Sequence, residues 1–253
     1  MKPLILISND DSVVAKGLKV LVDAVREFGD VVVMSTDLNA SGKSHALTTN
    51  QPLRVRSVHS EPGLDIYACN GTPADCVKLA EAFFCNRKPS LVLSGINHGS
   101  NASINVIYSG TMGATIEASI NGFPAVGFSL LNHSADADFA ACVPIVKTIV
   151  ADVLKNGLPE MTSLNVNIPN LPYSEIKGMR VCRQAKASWA DSYEKRTDPN
   201  GRDYWWLTGK FICNDNAEDT DIWALDNGYV SIVPTRPDFT SHSAIEHLQK
   251  RYK

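Results

Sequence analysis

Short, unbroken apolar runs alternate with stretches of helical periodicity through the first half of this chain, and that alternation narrows the possible folds to very few. Residues 4–8 read Leu-Ile-Leu-Ile-Ser, as a strand covered on both faces does. Leu18, Leu21, Val22, Val25 and Phe28 then recur at helical spacing, and Gly29 supplies a stop. Residues 31–34 repeat the buried-strand signature. Residues 53–58 alternate in character and, with residues 66–69, predict an antiparallel excursion. Thr72 before Pro73 marks a helix N-cap with proline at the first helical position, and that helix is expected to run to about residue 84. Residues 91–94 and 125–129 give further buried strands, separated by a helix expected from near Thr111 to Asn121. The pattern predicts an α/β fold of three layers, a mainly parallel sheet with helices on both faces.

The second half is less regular. Phe139, Val143, Val146, Val150 and Val153 mark a long amphipathic helix, and residues 164–168 a strand. After Pro169 several short alternating stretches carry Trp189, Tyr193, Tyr204, Trp205 and Trp206 among charges. Residues 229–233 read as one more strand and residues 243–252 as a terminal helix. No repeat or linker interrupts the chain. Its 253 residues therefore predict one α/β unit, with a core over residues 1–135 and remaining core elements plus a C-terminal extension over residues 136–253.

A net charge of −3 gives no global attraction to a nucleic-acid polymer or a membrane surface. The apolar run at the N-terminus is too short for a signal segment, and no later one reaches spanning length. The six cysteines are scattered, without a C-x-x-C pair, and are expected to be reduced thiols packed as small hydrophobes. A cytoplasmic protein with no membrane partner is the expectation.

In an open parallel sheet, ligands bind beyond the carboxyl ends of the strands, near the point where strand order reverses. Three predicted strands are followed by polar loops: Ser8-Asn9-Asp10-Asp11, the segment from Asp37 to Ser44, and Gly95-Ile96-Asn97-His98-Gly99-Ser100-Asn101. If the strands are parallel, all three loops emerge on one edge. They offer two carboxylates, an amide oxygen and hydroxyls, a hard-oxygen set suited to magnesium, manganese or calcium rather than zinc. An Asp pair alone is equally readable as a helix cap beside a solvated carboxylate. Two further oxygen-rich loops on the same edge favour a cation, which would relieve the repulsion between Asp10 and Asp11.

Several phosphate devices are excluded. Gly42-Lys43-Ser44 resembles the end of a P-loop, but Asp37 stands where that motif needs glycine. No G-x-G-x-x-G follows the first strand, and an aspartyl-phosphate motif would need carboxylates two apart. Tyr108-Ser109-Gly110-Thr111-Met112-Gly113 is different: hydroxyls and glycine amides at a helix start form either an anion cradle or an ordinary capping turn.

Ile7-Ser8-Asn9-Asp10-Asp11, Asn39-Ala40-Ser41-Gly42-Lys43-Ser44, the block from Asn70 to Val77, Ser94-Gly95-Ile96-Asn97 and Tyr108-Ser109-Gly110-Thr111 together resemble the SurE survival-protein family of nucleoside monophosphate phosphatases (5′-nucleotidases). Weaker echoes at Asn165-Val166-Asn167-Ile168-Pro169, Gly228-Tyr229-Val230-Ser231 and Ser241-His242-Ser243 extend the resemblance over essentially the whole chain. It implies a single domain with a Rossmann-like core and a C-terminal extension used in oligomerisation, as a homodimer or homotetramer with exchanged C-terminal elements. It also implies one divalent metal ion per subunit, magnesium or manganese. Carried over by motif, the metal ligands are Asp10, Asp11, Ser41 and Asn97, the positions that the strand-end argument selects. Asp10 and Asp11 are the implied catalytic residues. Substrate contacts fall on Asn9, Ser44, Asn101, Ser109, Gly110 and Thr111. The implied substrates are nucleoside 5′-monophosphates, with 3′-nucleotides and short polyphosphate as extensions.

The family usually has glycine after the Asp pair, where this chain has Ser12, a strained choice if the site needs a positive φ. His98 replaces a residue that is often small in the family, and either approaches the substrate or is incidental. Asp238 and His242 read as a hinge for an exchanged segment or as a local helix-start contact. The expected mechanism is in-line attack by a metal-activated water, with Asp10 or Asp11 orienting it and Lys43 and the Thr111 turn offsetting phosphoryl charge; a covalent aspartyl route stays open. Two rivals differ in class. A phospho-receiver domain would need a phosphoacceptor Asp and a late Lys at strand ends, where this chain has Gly95-Ile96-Asn97 and Leu130. A non-catalytic nucleotide-binding scaffold would bind without turnover.

Overall fold

The computed structural model describes residues 2–252. In chain order these form β1 (Leu4–Ser8), α1 (Lys16–Val25), β2 (Asp30–Thr36), β3 (Val55–Glu61), β4 (Leu64–Cys69), α2 (Pro73–Leu79), β5 (Leu91–His98), α3 (Gly110–Ile120) and β6 (Ala125–Leu130). They continue as α4 (Cys142–Asn156), β7 (Ser163–Ile168), β8 (Met179–Val181), β9 (Ala187–Thr197), β10 (Asp203–Cys213), α5 (Asp221–Asp226), β11 (Val230–Thr235) and α6 (His242–Gln249).

Nine strands form one sheet in the order β3-β4-β2-β1-β5-β6-β7-β11-β8. From β4 to β7 every pairing is parallel, while β3 and β11 run antiparallel to their neighbours β4 and β7. Burial on both faces explains the apolar strands: all five residues of β1 are buried. The amphipathic face of α1 packs with α4 on one side, around Leu21, Phe128 and Ile145. On the other side α2 and α3 cover a smaller cluster around Leu6, Met34 and Cys76. All six cysteines are free, and none of the described helices is long and apolar enough to cross a membrane.

The sheet runs on through β7, β11 and β8, so residues beyond 135 complete the same layer. Three expectations needed correction. The helix capped by Thr72 reaches residue 84, but its last turn, Ala80–Phe84, widens into a π-helix. The strand expected over residues 91–94 continues to His98, because β5 pairs with β6 again at Asn97 and His98 after an irregular register between Ser94 and Asn97. The short stretches expected after Pro169 include two 11-residue strands, β9 and β10, which pair only with each other as an exposed ribbon. Neither face of that ribbon is covered, so its sequence has no need of a buried alternation.

Ser12 occupies the left-handed backbone region, with φ 86°, although it is 8% exposed and carries a Cβ. Its carbonyl accepts hydrogen bonds from the Asn9 side-chain amide at 3.0 Å and from the Ala15 N–H at 3.1 Å, which hold the turn. Left-handed backbone costs a Cβ-bearing residue roughly 1–2 kcal/mol, and glycine returns about half of the relief as unfolded-state entropy. Ser12→Gly should therefore stabilise the protein by about 0.5 kcal/mol, a rise of roughly 1–2 °C in Tm by thermal denaturation. A lower Tm would show that the turn needs the serine.

Candidate active site

The strand order places the site. The chain moves from β1 outward to β2 on one side, then returns to lay β5 on the other, so the reversal lies between β1 and β5. Asp10 and Asp11 follow β1, Ser41 and Ser44 lie after β2, and Asn97 sits at the end of β5. Backbone bonds stitch these segments together: the Ala40 N–H donates to the Asp10 carbonyl at 2.7 Å, and the Val13 N–H to the Thr36 carbonyl at 2.9 Å.

The four residues expected at a metal lie on adjoining segments. Asp11 Oδ2 accepts from the His98 backbone N–H at 3.2 Å, and Ser41 Oγ lies 3.5 Å from Asp11 Oδ1. The Asn97 amide nitrogen donates to the carbonyls of Gly99 at 2.9 Å and His98 at 3.2 Å. That orientation leaves Asn97 Oδ1 without a hydrogen-bond partner among the described residues. His98 points elsewhere, packing its ring edge-on against Phe139 with centroids 5.0 Å apart.

Asp10 carries the main electrostatic tension. Its residue is 3% exposed, and burial raises its pKa; the Thr111 hydroxyl bond opposes that rise and the Asp11 charge adds to it. Among the described residues no Lys, Arg or His forms an ion pair with Asp10 or Asp11. Nor do three or more His, Cys, Asp or Glu side chains gather anywhere among them as a metal cluster of the zinc type. Two carboxylates without an ionic partner, an amide oxygen without a hydrogen-bond partner among the described residues and a serine hydroxyl fit a hard divalent cation such as magnesium or manganese.

The start of α3 forms the facing wall. Ser109 is its N-cap and accepts the Met112 N–H at 3.1 Å, while Thr111 Oγ1 donates to Asp10 Oδ1 at 2.7 Å. Gly110 permits this approach: a Cβ there would lie 2.9 Å from both Cβ and Oδ2 of Asp10. The positive end of an 11-residue helix is thus aimed into the crevice. Ser44 adjoins it, donating its hydroxyl to the Ile107 carbonyl at 2.6 Å and its N–H to the Tyr108 carbonyl at 3.0 Å. Lys43 is exposed in the same turn and has no ionic partner among the described residues. Asn9 is 1% exposed, and its amide accepts from Ser35 Oγ and donates to the Ser12 carbonyl. In this geometry Asn9 shapes the loop from beneath.

Two supports were not visible as such in the sequence. Asn101 donates its amide to Ser129 Oγ at 2.9 Å, and its backbone N–H goes to Asn167 Oδ1 at 2.8 Å. Its carbonyl accepts from Asn165 Nδ2 at 2.8 Å, and Asn167 donates to Asn165 at 2.9 Å. The available signal was two asparagines with period 2 in β7, where both are buried. The second support is Glu117, which takes His45 at 2.7 Å and Lys78 at 2.8 Å. Burial would raise its pKa, but bonds from Lys78 and His45 hold it below the usual carboxylate value. A Cβ on Gly113 would meet the Ser44 carbonyl at 2.5 Å, so the Ser41–Ser44 loop rests directly on α3.

The family described as survival protein SurE matches residues 5–191. A protein of Christiangramia forsetii named 5′-nucleotidase SurE is 53% identical over 254 aligned residues, covering 98% of this chain and 96% of the relative. A protein of Cytophaga hutchinsonii with the same name is 48% identical, covering 100% of this chain and 98% of the relative. The crystal structure of the SurE protein from Aquifex aeolicus superposes with a TM-score of 0.85 at 38% identity, covering 99% of this chain and 100% of that one. The strand-end carboxylates, the fold that presents them and these full-length likenesses agree: the chain belongs to the SurE family.

Proposed function

We propose that the protein is a divalent-metal-dependent phosphatase acting on nucleoside 5′-monophosphates, with 3′-nucleotides and short polyphosphate as further substrates of the same site. The observation that carries this reading is the buried Asp10 carboxylate, which has no ionic partner among the described residues and lies beside Asp11 and the start of α3. The name 5′-nucleotidase, borne by full-length relatives at about half identity, supplies the substrate class.

Asp10, Asp11, Ser41 and Asn97 hold one magnesium or manganese ion per subunit. Such an ion supplies Lewis-acid polarisation of a phosphoryl oxygen and acidification of the attacking water. The remaining work falls to the protein. Thr111 fixes the Asp10 carboxylate through Oδ1, which leaves Oδ2 to orient the water or receive its proton. The first-turn amides of α3, with Ser44, Ser109 and Asn101, cradle the phosphate, and Lys43 offsets charge on its oxygens. Asn9 supports the phosphate side of the loop.

The same reading assigns the C-terminal elements to a homodimer or homotetramer in the cytoplasm. None of the residues of α6 is buried, and Ile245, Leu248 and Tyr252 expose apolar surface. Trp205, Trp206 and Leu207 do the same on the ribbon. Asp238 Oδ2 and His242 Nε2 meet at 2.7 Å at the root of α6, where an exchanged segment would turn.

Asp10→Asn should lower kcat by more than about a hundredfold while the metal-free variant melts no lower than the parent, since a buried charge is removed. Activity within tenfold of the parent would remove Asp10 from its role. Thr111→Val deletes a bond to the charged form of Asp10, so the Asp10 pKa rises further. The acidic limb of the kcat/KM–pH profile should move to higher pH, with a rate loss of about tenfold at its plateau. An unmoved limb would show that Asp10 does not set it.

A further inference from the structure

The loop that precedes α3 borders a second hollow whose chemistry differs from that of the phosphate end. Between Asn101 and Ser109 the chain loops away from the sheet and returns, and both ends of this loop lie at the site. Its middle, a 3-10 turn over Ser103–Ile107, borders a cavity of about 600 Å³ that is widely open to solvent. Ile104 forms one side, and Gln184, Lys186, Ser188, Ile212 and Asn214 line the rest.

The walls are held rigidly. Asp221 is fully buried and accepts the Ser103 N–H at 2.7 Å and the Ala185 N–H at 2.9 Å. Ser103 Oγ donates to the Ala185 carbonyl at 2.8 Å, and Trp189 Nε1 to Asn105 Oδ1 at 2.8 Å. Adjacent charges are already used: Arg183 pairs with Asp215 at 2.6 Å and with Asp219 at 2.9 Å. Among the described residues, by contrast, the side chains of Gln184, Lys186, Ser188 and Asn214 have no hydrogen-bonding or ionic partner. Two isoleucines offer apolar contact, and two side-chain amides each offer a donor beside an acceptor. That is the pattern that recognises the face and edge of a planar heterocycle. Ile104 lies three positions after Asn101, so their Cα atoms lie within about 10 Å, the reach of a ribose and base from a phosphate held at Asn101.

We propose that this cavity receives the nucleobase of the substrate and that Gln184 and Asn214 set base preference, an inference that rests on the nucleotidase reading above. The phosphate end of the site is then indifferent to the base, and discrimination arises where the C-terminal ribbon leaves the core.

The test compares the parent with the double variant Gln184→Ala, Asn214→Ala. Rates are measured on four nucleoside 5′-monophosphates and on p-nitrophenyl phosphate, a phosphomonoester without ribose or base, with thermal melting as the fold control. The ratio of nucleotide to p-nitrophenyl phosphate kcat/KM should fall about tenfold, and the ranking of the bases should flatten. An unchanged ratio and ranking would overturn the proposal. Hydrolysis of neither substrate by the metal-loaded parent would instead overturn the nucleotidase reading. The cavity is then decided by calorimetric titration of the same nucleotides into both proteins: a loss of affinity of about tenfold in the variant supports base binding there, and equal affinity refutes it.

Discussion

The fold places the Asp10 carboxylate at the reversal point of the sheet, and among the described residues no positive side chain pairs with it. A buried, unpaired charge beside a second carboxylate is unfavourable, and most proteins neutralise such a group with lysine or arginine. Here the partners are the Thr111 hydroxyl and the start of α3. Neither cancels a full charge. On the proposed function, the surrounding architecture keeps this arrangement intact for a cation and a phosphate to complete, with stability sacrificed locally for pre-organisation.

That requirement explains several features that would otherwise be unrelated. Gly110 lacks a side chain so that α3 can reach Asp10, and Gly113 lacks one so that the Ser44 segment can lie on the next turn. Glu117 ties the same segment down through His45, while Thr72 Oγ1 holds the Ala46 carbonyl at 2.6 Å. On the opposite side, the asparagines of β7 fix the backbone of Asn101. Loops that would be mobile by length alone are clamped at several points, which suits a site whose oxygens must stay in place without a bound ion.

Much of this was legible in the residues. Strands buried on both faces lack polar alternation, so β1, β2, β6 and the first half of β5 could be read directly, and the capping chemistry of Thr72 and Pro73 marked a helix start. The strand-end rule then singled out the three loops that carry Asp10, Asp11, Ser41 and Asn97, and the family resemblance picked those four residues from them. Other features were hidden for physical reasons. Asn97 looked like a loop residue because glycine at position 95 signals a break, yet β5 resumes pairing beyond it. The β9–β10 ribbon buries neither face and so carried no periodic signal. His45 and Glu117 are 72 residues apart, and only the folded chain shows that one supports the other.

The central claim is that the Asp10–Asp11 edge is a cation site that drives phosphate ester hydrolysis. The most direct measurement is inorganic phosphate release from a panel of nucleoside 5′-monophosphates with manganese, with magnesium and after chelation. Release that stops on chelation and returns when metal is restored is the predicted result. An undiminished rate in chelator, or no release from folded, metal-loaded protein on any nucleotide, would contradict it.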